Sequence, residues 1–249
     1  MNSTISRSPD ENASGFLSET PGALRYDRVN DDPHEAAALI AGLVPERARV
    51  LDVGCGSGAV STVIRRLRNA RLVGVEPDSE RAQVARDRGI EVIQGYLSTE
   101  LLEQLGRFNV VVFADVLEHL PNPSALLQLG CCALERDGAI VISVPNVAHW
   151  SVRWELLRGR FDYEKHGIMD ATHLRWFTAN SLVNWLRNNG LQVEQMTHSA
   201  GTALPVYDRV WPWRSIHEYR RAKLIRKLAK RWPLLFGCQH IVRASLRAA

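Results

Sequence analysis

From Arg49 onward the chain alternates short apolar runs with stretches whose apolar residues recur every three or four positions. The runs ARVLDVG, RLVGVEP, IEVIQG, FNVVVFAD and GAIVISVP each take six to eight residues and end in Gly, Pro or Asp, the mark of strands buried on both faces. Between them the spacing predicts helices over 59–68, 79–88 and 123–135. Ahead of the first run, Ala36, Leu39, Ile40 and Leu43 predict a helix over 32–43, with Pro33 at an early position and Pro45 beyond its end. Strand and helix in alternation imply a parallel sheet covered on both sides. LQVEQMTHS and CQHIVRAS read as two further strands, so the expected fold is α/β, a doubly wound, mostly parallel seven-stranded Rossmann-like sheet.

At 249 residues the chain suits one domain, and 45% hydrophobic with 23% charged residues excludes wholesale disorder. Residues 1–20 are too polar to repay their ordering entropy and are expected to be mobile, leaving 21–249 as a single domain. Two segments exceed what a connection needs: about 147–180, which follows strand 5 and reads as a lid, and a basic insertion at about 205–235. The chain has neither an apolar stretch of membrane-spanning length nor a signal-peptide core, so a cytoplasmic location is expected. Cys55, Cys131, Cys132 and Cys238 lack metal-binding spacing and read as reduced thiols.

Strand 1 runs into Asp52-Val53-Gly54-Cys55-Gly56-Ser57-Gly58 and then a helix, placing a backbone loop without side-chain bulk where strand ends form ligand crevices. Gly54, Gly56 and Ala59 nearly satisfy the dinucleotide pattern G-x-G-x-x-G/A, so a nicotinamide cofactor has to be weighed. Asp52 discriminates, because a carboxylate there repels a pyrophosphate and suits a ligand carrying a sulfonium and an α-ammonium. Glu76, at the end of strand 2, can accept both hydroxyls of a ribose, which either cofactor would supply.

The segments VLDVGCGSG, VGVEPD, FNVVVFADVLEHLPNP and GAIVISVPN, in this order over 49–146, resemble the class I S-adenosylmethionine (SAM)-dependent methyltransferases, in the branch with ubiquinone-type and surface-polysaccharide enzymes. The resemblance implies SAM as cofactor, with contacts from Asp52, Gly54, Cys55, Gly56, Gly58, Glu76, Pro77, Asp115, Val116 and His119. Two positions depart from it. Gln94-Gly95-Tyr96-Leu97 stands where many relatives have an acidic residue facing the adenine, and Asn109, where relatives often have Asp, reads as structural. Asp115, Glu118 and His119 form D-x-x-E-H, which in ubiquinone-type enzymes can hold a divalent cation. The same residues can equally cap backbone groups, and no metal is assigned.

Residues 159–178 mix aromatics with two histidines, several carboxylates and two arginines. They resemble the G-x-x-D-x-T-H-L-R-x-F-T segment of methyltransferases acting on bacterial glycans and related hydroxylated acceptors. A hydroxyl acceptor gives a base something to do, and His173 is the first candidate, with Asp170 as its orienting partner and His149 second. Tyr163, His166 and Arg175 are expected to contact the acceptor. The competing reading makes Asp170, Thr172 and Arg175 a capping and ion-pair cluster around His173, while Thr178 looks like the N-cap of the next helix.

The net charge of +4 is unevenly spread: residues 200–249 hold 11 Lys and Arg against Asp208 and Glu218. Arg214, Arg220, Arg221, Lys223, Arg226, Lys227, Lys230 and Arg231, interleaved with Ile216, Leu224, Ile225 and Leu228, predict a basic amphipathic helix over 214–231. Such a helix can lie on the inner face of an anionic membrane, bind a lipid-linked acceptor, touch RNA phosphate, or pack its apolar side on the sheet. The expected function is O-methylation of a sugar, glycolipid or small hydroxylated metabolite. An RNA methyltransferase is the alternative, disfavoured by the lack of an N/D-P-P-Y/F loop after strand 4. A non-catalytic SAM-binding scaffold is another, and composition assigns no oligomeric state.

Overall fold

A computed structural model describes residues 27–247; the segment expected to be mobile, 1–20, lies outside them. Seven strands, β1 (Arg49–Val53), β2 (Arg71–Glu76), β3 (Glu91–Gln94), β4 (Phe108–Ala114), β5 (Leu134–Pro145), β6 (Leu191–His198) and β7 (Gln239–Leu246), form one sheet in the order β3-β2-β1-β4-β5-β7-β6. β1 to β5 pair in parallel, and β7 runs antiparallel to both β5 and β6.

Alternate strand residues build the two cores, as the period of two requires. Leu51, Val53, Val73, Val75, Val111, Phe113, Ile140 and Ile142 point to one face. There they meet α4 (Thr99–Leu105), α5 (Pro123–Cys132) and α7 (Ala179–Asn188). Val50, Leu72, Val110, Val112 and Val141 point to the other, under α1 (Ala36–Gly42), α2 (Ala59–Arg68) and α3 (Ser79–Asp87). At Gly130 in α5 an added Cβ would come within 2.6 Å of the Phe113 ring. Gly130→Ala is therefore expected to cost about 1–3 kcal/mol by overpacking, a fall of roughly 2–10 °C in Tm, measurable by thermal denaturation.

Several boundaries differ from the sequence pattern. α1 starts at Ala36 because Asp32 and Pro33 belong to a preceding turn, where Asp32 Oδ1 accepts from the His34 N–H. α5 stops at Cys132, since Leu134 already pairs with Phe108 at the start of a β5 longer than its apolar run. Thr178 caps α7, with Ser181 returning the second bond of the capping box. Asn109 has a structural role, accepting from the Arg49 N–H and donating to Glu135. All four cysteines are free thiols.

Residues 147–178 leave the sheet after β5, form α6 (Trp150–Leu157) and return through short bridges, Glu164 to Asp170 and Asn146 to Phe177. Between β6 and β7 lie α8 (Val206–Arg209), α9 (Glu218–Arg231) and α10 (Pro233–Phe236). The basic helix thus begins at Glu218 and not at Arg214, because Trp213–Ser215 makes a separate 3-10 turn and Ile216 after it is extended. No helix among the described residues is long and apolar enough to cross a membrane.

Candidate functional site

β1 and β4 lie side by side where the strand order turns outward in both directions, the position at which open α/β sheets form a ligand crevice. The loop leaving β1 is shaped by left-handed glycines. At Gly54 (φ +72°) a Cβ would sit 2.8 Å from Val116, so the loop and the exit of β4 can approach this closely only without a side chain. At Gly56 (φ +55°) a Cβ would meet nothing within 4 Å, leaving open space above the backbone. Gly58 precedes α2, also left-handed, and faces Ala85 of α3.

Two carboxylates hold this loop. Asp52 is fully buried; its Oδ2 accepts from Ser61 Oγ of α2 at 2.5 Å, and its Oδ1 has no hydrogen-bond partner among the described residues. Burial, opposed by the Ser61 bond and reinforced by the nearby Glu76 charge, pushes the Asp52 pKa up to about 6. Glu76 reaches across to the loop, Oε2 accepting from the Gly56 N–H at 2.8 Å and Oε1 from the Asp78 N–H at 3.0 Å. Pro77 follows, exposed. The Cys55 side chain turns inward, where a Cβ on Gly74 would come 2.5 Å from its sulfur, so only the Cys55 backbone belongs to the loop surface.

At the exit of β4, Asp115 adopts a left-handed conformation (φ 53°) and accepts from Ser143 Oγ (2.8 Å) and Gln239 Nε2 (2.6 Å), which ties β4 to β5 and β7. Glu118 and His119 follow in the 3-10 turn Leu117–His119. Glu118 is fully buried, and neither carboxylate oxygen has a hydrogen-bond partner among the described residues. Burial, with repulsion from Asp115, raises its pKa well above the usual carboxylate range. Its main-chain oxygen accepts from the N–H groups of Leu174 (2.7 Å) and Arg175 (3.0 Å), which stitches residues 170–175 to this turn.

That stitching brings two histidines together. His119 Nδ1 lies 3.2 Å from the Thr172 carbonyl and 3.1 Å from Thr172 Oγ1, whose own proton goes to Asp170 Oδ1. His173 Nδ1 lies 3.0 Å from the Ile168 carbonyl. Carbonyl oxygens only accept, so Nδ1 is the donor in both rings, and in the neutral imidazole the basic nitrogen is then Nε2. The rings meet edge to face with centroids 4.8 Å apart. Asp170 accepts from the Thr172 N–H and hydroxyl, shaping the turn that carries both contacts.

His149 belongs to a different cluster. It is fully buried at the N-terminus of α6, bonded through Nδ1 to Ser151 and through Nε2 to Tyr207 OH (3.3 Å), with Trp150 and Tyr207 around it. Burial lowers its pKa to about 3. A cavity of about 280 Å³ opens between α6, residues 160–169 and α8, walled by Trp150, Trp154, Phe161, Met169 and Val206 with Arg160 and Arg209 at its edge. Tyr163, His166 and Arg175 are exposed and do not line it; Tyr163 packs on Phe161 and Trp176, and Arg175 donates to the Pro121 carbonyl. Ser61, Gln239 and Tyr207, which position acids and a histidine, carry no local motif in the sequence, whereas Thr172 and Ser143 lie inside recognised segments.

Residues 25–196 match the family model of a methyltransferase domain. A ubiquinone biosynthesis O-methyltransferase of Xanthomonas axonopodis pv. citri is 33% identical over 174 residues, covering 67% of this chain and 72% of that protein. The chain belongs to the class I SAM-dependent methyltransferases. Among solved structures, a SAM-dependent methyltransferase from Thermotoga maritima aligns with a TM-score of 0.54 at 15% identity, over 85% of this chain and 87% of that one. The magnesium protoporphyrin IX methyltransferase of Synechocystis, solved with bound S-adenosylhomocysteine, aligns with a TM-score of 0.53 at 16% identity, over 85% and 81%. At these identities the likeness shows the fold.

The methyltransferase uses SAM, and its residues fit that cofactor: a buried carboxylate oxygen on Asp52 with no partner among the described residues, open space at Gly56, and, among the same residues, a single donor on each Glu76 oxygen, which leaves each a lone pair. A divalent cation also has a candidate donor set. Glu118, His119 and His173 each offer one ligand atom within 4.8 Å of the others, and both imidazoles have Nδ1 fixed by a carbonyl, as metal-binding histidines require. Asp115, engaged by Ser143 and Gln239, is not part of the set, so the cluster differs from D-x-x-E-H by exchanging Asp115 for His173.

Proposed function

We propose that the enzyme methylates a hydroxyl oxygen of a sugar-like or other small hydroxylated acceptor, free or lipid-linked, and that His173 with His119 takes the hydroxyl proton. SAM supplies an electrophilic methyl group on a sulfonium. Asp52 and the loop 54–58 would hold its methionine end, with Val116 of the β4 exit against the same loop, and Glu76 its ribose. Displacement at a sulfonium depends mainly on alignment and exclusion of water, so the chain's task is to hold the acceptor oxygen beside the crevice and receive its proton.

The observation that carries this reading is the histidine pair at the exit of β4, each ring with Nδ1 on a main-chain carbonyl and the two rings edge to face, which makes Nε2 the basic nitrogen of the neutral imidazole. The relatives named as O-methyltransferases support an oxygen acceptor. The apolar-walled cavity beside residues 160–169 supports an acceptor with an apolar portion, while Arg160 and Arg209 at that cavity are paired with Glu155 and Glu164. His149, sealed against Tyr207, then supports α6 and handles no proton.

Isotope-labelled SAM incubated with monosaccharide, glycolipid and RNA panels tests this reading. Label on an oxygen of a hydroxylated small molecule or glycolipid is the expected outcome. Label on RNA would replace it with the nucleic-acid alternative, and cofactor binding without any transfer would favour a scaffold. A second reading is favoured by Glu118, whose two unpartnered oxygens sit beside the pair: a divalent cation held by Glu118, His119 and His173. Two imidazoles and one carboxylate suit zinc or a similar transition ion better than magnesium. Loss of transfer in a chelator, restored by added metal, would select it.

A further inference from the structure

α9 presents a face that the chemistry above leaves unused. Its inner side is engaged: Ile225 and Ala229 are buried against Ala200 and Tyr207, Arg226 pairs with Asp32, and Arg221 pairs with Asp208. The other five basic residues, Arg220, Lys223, Lys227, Lys230 and Arg231, are all exposed, and none forms an ion pair with a described residue. At 100° per residue they fall within an arc of about 100°, bordered by Tyr219 on one side and Leu224 on the other. The helix's one acidic residue, Glu218, lies on the opposite side.

We propose that this face docks the enzyme on an anionic lipid bilayer, with α9 lying along the surface. Charge complementarity calls for an anionic partner. The exposed apolar groups around the arc choose the bilayer over a nucleic acid. Tyr219 is 73% exposed, Leu224 stands open to solvent, and the exposed Trp232 ring lies under the Arg231 guanidinium at 5.4 Å. Aromatic rings with a polar edge settle at the headgroup level and leucines just below it, while leucine adds nothing to a contact with phosphate or stacked bases. α9 also sits between the end of β6 and the start of β7, which lie beside the end of β5 at the carboxyl end of the sheet.

Flotation of the full-length protein with vesicles tests the docking independently of methyl transfer. Vesicles of phosphatidylcholine with about 30% phosphatidylglycerol should carry the protein up at about 0.1 M salt, pure phosphatidylcholine should not, and high salt should release it. The triple variant K223E/K227E/K230E should partition at least about tenfold less, with unchanged Tm and S-adenosylhomocysteine binding. Tyr219→Ala with Trp232→Ala should weaken binding with the charges intact. Absence of flotation, flotation indifferent to charge reversal, or displacement from vesicles by single-stranded RNA that binds more tightly would each overturn the proposal.

Discussion

His173→Ala is expected to lower kcat by about 10²- to 10⁴-fold while the S-adenosylhomocysteine dissociation constant stays within about twofold. The expectation follows from how the ring is held. The Ile168 carbonyl fixes Nδ1 as donor, and residues 170–175 are bonded to the Glu118 main chain, so His173 cannot be replaced by a neighbouring group without rebuilding that turn. His119, edge to face with His173 and anchored on Thr172, shares the task. The double variant with His119→Ala should therefore lose little more than either single variant, as groups acting as a unit do. Single-turnover methyl transfer with the acceptor found by the isotope screen measures all three. A loss that multiplies between the two sites, or no loss at His173, would remove the pair from the proton path.

Asp52→Asn should weaken S-adenosylhomocysteine binding by about 10- to 100-fold and shift stability in the opposite direction at alkaline pH. The Asp52 pKa is raised by burial to about 6 in the folded protein, above the ordinary aspartate value of 3.8. The folded state thus binds the proton more tightly than the unfolded one. The stability this contributes is complete below the unfolded pKa and disappears as pH rises through 6, after which a buried charge remains uncompensated. Asparagine never ionises, so relative to wild type the variant should gain about 2 kcal/mol between pH 4.5 and 8. Denaturant titrations at the two pH values read the difference. A variant whose stability tracks wild type across that interval would mean that Asp52 is solvated when ionised.

The strand-helix alternation and the glycine loop were legible because each rests on local pattern: continuous apolar runs for β1, β4 and β5, and Asp52, Gly54, Gly56 and Gly58 within one turn of chain. The short helix α4 was not, since two turns starting after Ser98 give too little periodicity to register. The grouping of the catalytic-side histidines was open for a different reason. His119, His149 and His173 all fall on the carboxyl end of the sheet, and nothing in their spacing separates them. Main-chain bonds do so, from Glu118 O to Leu174 and Arg175, which join His119 to His173, while Tyr207, far along the chain, closes over His149. Glu118 read as a cap or ligand, and only burial without a partner distinguishes it from the engaged Asp115. On α9 the pattern identified the basic helix, but which cations face outward depends on Asp32 and Asp208, which lie outside the helix.

Calorimetric titration of the full-length protein with S-adenosylhomocysteine, beside Glu76→Ala and with NAD as a parallel ligand, bears most directly on the crevice between β1 and β4. Saturable one-to-one binding to the wild type, at least about tenfold weaker in Glu76→Ala, with no heat from NAD, is the expected result. Binding unchanged in the variant, or heat from NAD in place of S-adenosylhomocysteine, would contradict the assignment of Glu76 and the Gly54–Gly58 loop to the cofactor.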